Sequence, residues 1–183
     1  MPGRMFSFVG GRLGRWRVTR IEAVVAEGLP MADRVDVVDR RIETLTAGAA
    51  WILRGITSHE RYVTAREHEQ LAAAQPSLER PEATRAALIP IKKTEEWWQL
   101  SQDERRGIFE DRSAHIATGM KYLPAIARRL HHAYDLGEPF HFLTWFEYAP
   151  QDSNKFEELV AELRQTEEWR YVSREVDIRL DRG

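Results

Sequence analysis

Alternating apolar and polar positions mark the first third of the chain and predict strands there. Met5 to Gly11 and Trp16 to Ala26 are typical of two strands joined by a glycine-rich turn. Ala50 to Thr57 is rich in large apolar side chains and predicts a buried strand. Residues 27–48 lack a sustained apolar period, which indicates a long connection with at most one short helix.

From residue 64 onward, strand patterns alternate with helical ones. Strands are predicted over Ala86–Lys93, Phe140–Tyr148 and Tyr171–Leu180, and helices over residues 64–75, from Ser101 to about Lys121, from Pro124 to about Asp135, and from Asp152 or Ser153 past Leu163. Pro90 has no amide hydrogen, which favours an edge strand or a bulge. Pro124 is costly inside a helix, so it is expected to begin a new one. On that helix Arg128 would lie away from the apolar face, so the pattern alone predicts an exposed arginine.

The order of these elements predicts an α+β barrel. The second half resembles a split β-α-β unit of the ferredoxin-like type, and the first half resembles a reduced version of it. We therefore predict two ferredoxin-like halves, residues 1–75 and residues 76–183, with the first one truncated. A ligand pocket is expected between the second sheet and its helices.

Composition limits the classes of function. The chain has 183 residues, of which 43% are hydrophobic, enough for a core in one domain or two tightly packed halves. A net charge of -2 gives no general attraction to nucleic acid or to an anionic membrane. The absence of cysteine excludes disulfides, thiolate catalysis and cysteine-ligated metal centres. No apolar run is long enough to span a bilayer, and the first residues lack a signal-peptide core, so a cytoplasmic location is expected.

Short catalytic motifs are missing, and single residues carry weak signals. The sequence contains no HExxH, P-loop, dinucleotide GxGxxG or GxSxG motif. His115 is the histidine that lies on a helical stripe with apolar neighbours, and a structural role explains it most simply. Lys93 ends an apolar strand face, where a lysine commonly extends to water. A haem site needs an imidazole, a carboxylate beside it, aromatic walls and, for an anionic oxidant, a fixed cation. The chain offers candidates for each part, but their spacing alone does not assemble them.

Three segments carry a family resemblance. They read IPIKKTEEWWQLSQDERRGIFEDRSAHIATGMKYLPAIARRL, FHFLTWFEYAP and TEEWRYVSREVDIRL. Together they closely resemble the chlorite dismutases and, more narrowly, the short, dimeric lineage of that family. The similarity is dense from Arg85 to Leu180, moderate around Leu53 to Val63, and weak before that.

This resemblance implies haem b, an iron cofactor, bound in the C-terminal ferredoxin-like half of a homodimer. His115 matches the proximal iron ligand of the family. Glu168, in the TEEW segment, matches the carboxylate that accepts the N–H of that histidine, and Lys93 matches the lysine that completes the proximal network. The carboxylate would increase the imidazolate character of the ligand.

The resemblance also assigns residues to the distal side and to the haem edge. Arg128, in YLPAIARRL, matches the distal arginine, and Gln75 matches a hydrogen-bond partner of that arginine in one of its orientations. Tyr62 and Trp97 match residues near the haem edge and the propionates. Only the resemblance moves Arg128 from an exposed position to a pocket.

The implied reaction converts chlorite to chloride and dioxygen, and chlorite or similar small anions are the implied ligands. Arg128 would hold the anionic fragment until the O–O bond forms. The same superfamily contains coproheme decarboxylases, which resemble this chain in fold and proximal histidine. Their chains are longer and typically lack the distal arginine, so Arg128 favours chlorite dismutase. A non-catalytic haem-binding protein and a cofactor-free barrel of the antibiotic-monooxygenase type remain as alternatives.

Overall fold

A computed structural model describes residues 3–57 and 62–182 of the chain. The strands are β1 Met5–Gly11, β2 Trp16–Val25, β3 Arg34–Val38, β4 Ala49–Ile56, β5 Arg85–Lys93, β6 Ala127–His132, β7 Phe142–Tyr148 and β8 Val172–Asp181. The α-helices are α1 Ala65–Ala74, α2 Glu95–Gln99, α3 Gln102–Arg106, α4 His115–Lys121 and α5 Ser153–Arg164. A π-helical segment covers Gly107–Arg112, and 3₁₀ turns cover Tyr134–Leu136, Pro150–Asp152 and Glu167–Tyr171.

Within those residues, eight strands close into one antiparallel barrel. Their order around it is β1-β3-β2-β8-β5-β7-β6-β4, and β4 returns to β1. The bounds of the first two strands are close to those predicted, but the turn expected between them is wrong, because both strands run antiparallel to β3 and lie on either side of it. The predicted mixture of helices and strands in a barrel is thus confirmed.

Strand β3 corrects the prediction that residues 27–48 hold no strand. It is only five residues long, with Val35 fully buried and Val37 packed against the core. Charged residues flank these two valines, so the alternation is too short to stand out from the surrounding loop. The strand conformation of β3 is stabilised by its pairing with β1 and β2 and is not specified by the local sequence.

Strand β6 corrects the larger error, the helix predicted from Pro124 to Asp135. Residues Ala127–His132 pair with β7 along their whole length, so Arg128 lies opposite Phe146. Long polar side chains hide the alternation of period two in this segment. Pairing with an apolar neighbouring strand therefore outweighs the helical propensity of the segment.

Two further predictions need correction. The helix that begins at the Ser101 capping box does not continue unbroken to Lys121, because Ala114 adopts a left-handed conformation with φ of 49°. Pro90 does not mark an edge strand, because β5 pairs with β7 on one side and β8 on the other. Closing the barrel removes free edges, and proline withholds only one donor from the ladder.

Two apolar clusters lie on opposite faces of this sheet. One fills the barrel and includes Phe8, Trp145 and Ile178. The other lies between the outer face of β5 and β7 and the helix α5, whose predicted stripe includes Phe156 and Leu163. No helix within the described residues has the length and apolarity needed to cross a membrane.

His131 is a buried, neutral histidine inside the barrel. It is fully buried, its Nδ1 lies 2.9 Å from the Leu143 carbonyl, and Arg129 Nε donates to its Nε2 at 2.9 Å. A carbonyl only accepts and a guanidinium only donates, so the ring must be neutral with its proton on Nδ1. Burial lowers the pKa of His131 to about 3, and the charge of Arg129 also lowers it.

We expect His131 to destabilise the fold as pH falls. Its pKa is near 6.5 in the unfolded chain, so between that value and about 3 the unfolded chain binds more protons than the folded one. The stabilisation is complete above the unfolded pKa, and about 2 kcal/mol of unfolding free energy should be lost between pH 7 and pH 5. Urea unfolding of His131→Gln should show a flatter pH dependence by that amount. The exposed His68→Gln should keep the wild-type slope, and equal slopes in all three proteins would contradict the assignment.

Candidate functional site

A cavity of about 320 Å³ lies between the outer face of strands β5, β6 and β7 and the helices α4 and α5. Its walls are formed by Ile89, Ile91 and Lys93 of β5, Arg128 and Leu130 of β6, Phe142, Thr144 and Phe146 of β7, His115 and Gly119 of α4, and Leu159, Val160 and Leu163 of α5. This is the position expected for a pocket from the element order. The alternation of β5 directs Ile89, Ile91 and Lys93 to this face, as predicted.

A triad of side chains, Lys93, Glu168 and His115, forms one wall of the cavity. The carboxylate of Glu168 accepts from Lys93 Nζ at 2.7 Å through Oε1 and lies 2.7 Å from His115 Nδ1 through Oε2. The side chains of Lys93 and Glu168 are 4% and 6% exposed, and that of His115 is 18% exposed. Glu168 thus connects the ammonium group of Lys93 to Nδ1 of His115. The second ring nitrogen of His115, Nε2, takes no part in this contact.

The triad corrects the simplest explanation of Lys93, which was a lysine extending to water. Lys93 turns inward, and its Nζ also lies 4.3 Å from the ring centroid of Trp97. Burial alone would raise the pKa of the Glu168 carboxyl, but the charges of His115 and Lys93 lower it to about 2. Glu168 is therefore a permanent anion at neutral pH, suited to accept a hydrogen bond from the N–H at His115 Nδ1.

Local backbone structure places His115 at this wall. The π-helical segment ends at Arg112, Ala114 takes the left-handed conformation, and α4 then starts at His115. Ser113 Oγ accepts the main-chain N–H of Glu168 at 3.0 Å, which ties this break to the 3₁₀ turn that carries the carboxylate. The ring of Phe109 stacks on the imidazole at 4.4 Å with an interplanar angle of 25°.

Arg128 reaches the same cavity from β6. The strand presents its half-buried side chain on the cavity face, so the exposed position predicted from the helical pattern is wrong. A Cβ atom added to Gly119 would lie 3.9 Å from Arg128 Nη1, so the guanidinium extends over α4. Gly119 is one helical turn from His115 on the same face. Gln75 Nε2 donates to the main-chain carbonyl of Arg128 at 2.7 Å, which ties the end of α1 to this strand.

Tyr62 and Trp97 form an aromatic side of the cavity. Their ring centroids are 6.2 Å apart in an edge-on arrangement. Arg105 joins them, since its Nη1 lies 3.3 Å from the Tyr62 hydroxyl and its Nε donates to the Trp97 carbonyl at 2.9 Å. Arg106 bonds the Tyr62 carbonyl and forms a bidentate pair with Glu67 of α1. Residues 58–61, part of the moderately similar stretch before Tyr62, lie outside the described residues.

Trp97 carries an unsatisfied donor. Its ring is 1% exposed, and its Nε1 has no hydrogen-bond partner among residues 3–57 and 62–182. A buried N–H without an acceptor is costly, so an acceptor on a ligand is the expected partner. Carboxylate groups on a large aromatic ligand would meet this need.

The family resemblance, and not the residue patterns, brought seven residues to this cavity, and other residues around it were missed. All seven residues assigned by resemblance line this cavity, namely Tyr62, Gln75, Lys93, Trp97, His115, Arg128 and Glu168. Ser113 and Arg105 were missed, because a serine at a helix end and an arginine on a polar helix face have many ordinary roles. His141 was also missed, although its Nδ1 accepts the main-chain N–H of Lys93 at 3.1 Å and Trp98 Nε1 at 3.0 Å.

The family comparison agrees with this geometry. The family model described as chlorite dismutase matches residues 35–181. A crystal structure of dimeric chlorite dismutases from Nitrobacter winogradskyi is 53% identical, covers 97% of this chain and 99% of that chain, and superposes with a TM-score of 0.89.

More distant relatives share the fold. A chlorite dismutase structure from Candidatus Nitrospira defluvii, in complex with imidazole, is 19% identical with a TM-score of 0.70, over 98% of this chain and 91% of that chain. A curated chlorite dismutase from Ideonella dechloratans is 29% identical over 86 residues, which is 47% of this chain. That alignment spans only 28% of the length of the Ideonella protein.

Proposed function

Because this chain belongs to the chlorite dismutase family, whose model matches residues 35–181, we propose that it binds haem b and converts chlorite to chloride and dioxygen. The observation that carries the proposal is the contact of His115 Nδ1 with the buried Glu168 carboxylate at 2.7 Å. A metal-ligating histidine typically donates its second ring N–H to such a carboxylate. His115 Nε2 is the proposed ligand to haem iron.

The cavity residues fit haem in polarity and donor set. The aromatic and aliphatic walls suit a flat apolar ring, and the unpartnered Trp97 Nε1 suits a propionate oxygen. Tyr62, held through Arg105, is the second proposed contact at the propionate edge. The proximal group is His115 with Glu168 and Lys93 behind it.

Arg128 is the proposed catalytic residue. Haem iron, when bound, supplies the redox chemistry that cleaves an O–Cl bond. Arg128 keeps its charge at every accessible pH and offers planar donors, so it can bind chlorite and then retain the hypochlorite fragment. One chlorite anion yields one chloride anion and one dioxygen molecule, so atoms and charge balance without another reactant. Gln75 is the proposed partner that holds Arg128 in one of its orientations.

One measurement tests this function. The chain is purified with haem, chlorite is added, and dioxygen is followed with an electrode. We expect one dioxygen per chlorite consumed. Haem binding without dioxygen release would contradict the proposed activity and favour a non-catalytic haem protein. Retained coproheme that is turned over by peroxide, without dioxygen from chlorite, would favour a decarboxylase.

We also propose the organisation into two ferredoxin-like halves, residues 1–75 and 76–183. The order of strands around the barrel supports this division, because it reads β4-β1-β3-β2 in the first half and β8-β5-β7-β6 in the second. In each half, the fourth strand in chain order is followed by the first, the third and the second. In the second half, helices connect β5 to β6 and β7 to β8, whereas residues 12–15 and 39–48 make the corresponding links in the first. The first half is therefore the truncated one. An experimental structure with a different strand order would contradict this division.

The dimeric Nitrobacter winogradskyi structure supports a homodimer. Light scattering on the purified protein should return twice the chain mass of 21.3 kDa, and a single-chain mass would contradict the proposal. A cytoplasmic location stays a prediction from the sequence.

A further inference from the structure

Glu110 bonds the backbone on both sides of His115. Its main-chain carbonyl accepts the N–H of Ala114 at 2.8 Å. Its carboxylate accepts the N–H of Ile116 at 2.6 Å through Oε2 and that of Ala117 at 3.2 Å through Oε1. One residue therefore holds the amide before the proposed ligand and the two amides after it.

This arrangement compensates for an uncapped helix start. The residue before α4 is Ala114, whose side chain offers no oxygen to the first amides of the helix. An N-terminal helical turn without an acceptor is destabilised, because its first N–H groups have no partner within the helix. Ile116 is 3% exposed, so water is a poor substitute for its partner. The carboxylate of Glu110, from the π-helical segment, supplies acceptors for two of these first amides, those of Ile116 and Ala117.

From these contacts we infer that Glu110 is a positioning residue that fixes the backbone of His115 and so aligns its imidazole with Glu168. The inference rests on the proposed haem function, and it adds a residue that neither touches the cofactor nor belongs to the triad. The neighbouring Phe109 acts in the same direction, because its ring stacks on the imidazole at 4.4 Å. Glu110 thus connects the position of the helix to the strength of the His115–Glu168 bond.

Loss of this acceptor should change the electronic state of the ligand as well as local stability. A looser His115 donates a weaker hydrogen bond to Glu168, and the imidazole then has less imidazolate character. In Glu110→Ala we expect a more positive ferric–ferrous midpoint potential and a lower iron–imidazole stretching frequency in resonance Raman spectra. Haem transfer to excess apomyoglobin should accelerate by about tenfold to a hundredfold.

Two matched variants separate positioning from general effects of charge and folding. Glu110→Gln keeps one carbonyl acceptor, so it should lie between wild type and Glu110→Ala in all three measurements. Asp111→Asn removes the same charge from the adjacent exposed residue and should behave as wild type. In the haem-free protein, hydrogen exchange at the Ile116 amide should speed up about tenfold in Glu110→Ala and stay unchanged in Asp111→Asn.

The outcomes are distinguishable from those of the proposed function. Wild-type potential and Raman frequency in Glu110→Ala, with only a lower unfolding temperature, would overturn the positioning role. If Glu110→Ala does not fold, wild-type values in Glu110→Gln for all three measurements would overturn it. Failure of haem-loaded wild type to release dioxygen would reject the proposed activity, while the potential and Raman data would still decide the role of Glu110.

Discussion

Replacing Arg128 with alanine is expected to lower chlorite turnover by about 10²- to 10³-fold, the usual cost of losing one charge-stabilising donor at a reacting centre. The physical reason is that the side chain is the proposed holder of the hypochlorite fragment. Without it, the fragment should escape before the O–O bond forms and should then oxidise the haem. Initial dioxygen rates, decay of the Soret band and a hypochlorite trap in solution would each report one part of this expectation.

Two arginine variants make the test specific. Arg128→Lys keeps the charge but loses the planar donor fork, so it should retain part of the turnover and release more hypochlorite than wild type. Arg66→Ala removes an exposed arginine of α1 and should leave all three measurements unchanged. Unaltered turnover together with an unaltered haem lifetime in Arg128→Ala would reject the role of Arg128.

The position of Arg128 shows where sequence patterns stop being informative. The spacing of Leu123, Ile126 and Leu130 fits a helix, and the segment instead forms β6 because β7 pairs with it. Leu130 is 40% exposed, so an apolar residue that seemed to mark the buried face does not lie in the core. As strand neighbours, Arg128 and Arg129 point to opposite faces of the sheet. Arg128 and Leu130, two residues apart, therefore point to the same face of the sheet.

Elements with strong local signals were predicted well. The α5 stripe, the capping box at Ser101 and the apolar β7 segment all appear close to their expected positions. The predicted continuity from Ser101 to Lys121 was wrong, because a left-handed alanine leaves no pattern of polarity. That break places His115 at the start of α4. The site therefore depends on the helix break before His115. The resemblance located His115 in the sequence, but the residue pattern could not predict the break itself.

The triad also could not be predicted from residue patterns, and the reason is energetic. Lys93 and Glu168 are 75 residues apart in sequence, and neither has a distinctive neighbourhood. A buried lysine is costly unless an anion meets it, so each residue taken alone favours a surface position. Only the pairing of β5 with β8, which continues from the turn carrying Glu168, brings the two charges together.

Replacing His115 with alanine is expected to abolish stable haem binding and to reduce dioxygen release to the background rate. The imidazole is the proposed axial ligand, and alanine offers no donor atom to iron. The fold should persist, because Glu168 keeps its contact with Lys93 Nζ at 2.7 Å and is not left as an isolated buried charge. Haem titration by Soret absorbance, with circular dichroism of the same samples, separates loss of the ligand from loss of structure.

His132 provides the most demanding control, because it lines the same cavity from β6. His115 is favoured as the ligand because a carboxylate holds its Nδ1, and the ring of His132 instead lies edge-on to Phe142 at 5.6 Å. His132→Ala should therefore keep the axial histidine signature in resonance Raman spectra. Addition of imidazole should restore part of the haem binding in His115→Ala, because the deleted ring leaves space beside Glu168. Retained histidine ligation in His115→Ala, with its loss in His132→Ala, would move the iron site to the other wall of the cavity and would reject Glu168 as the group that tunes it.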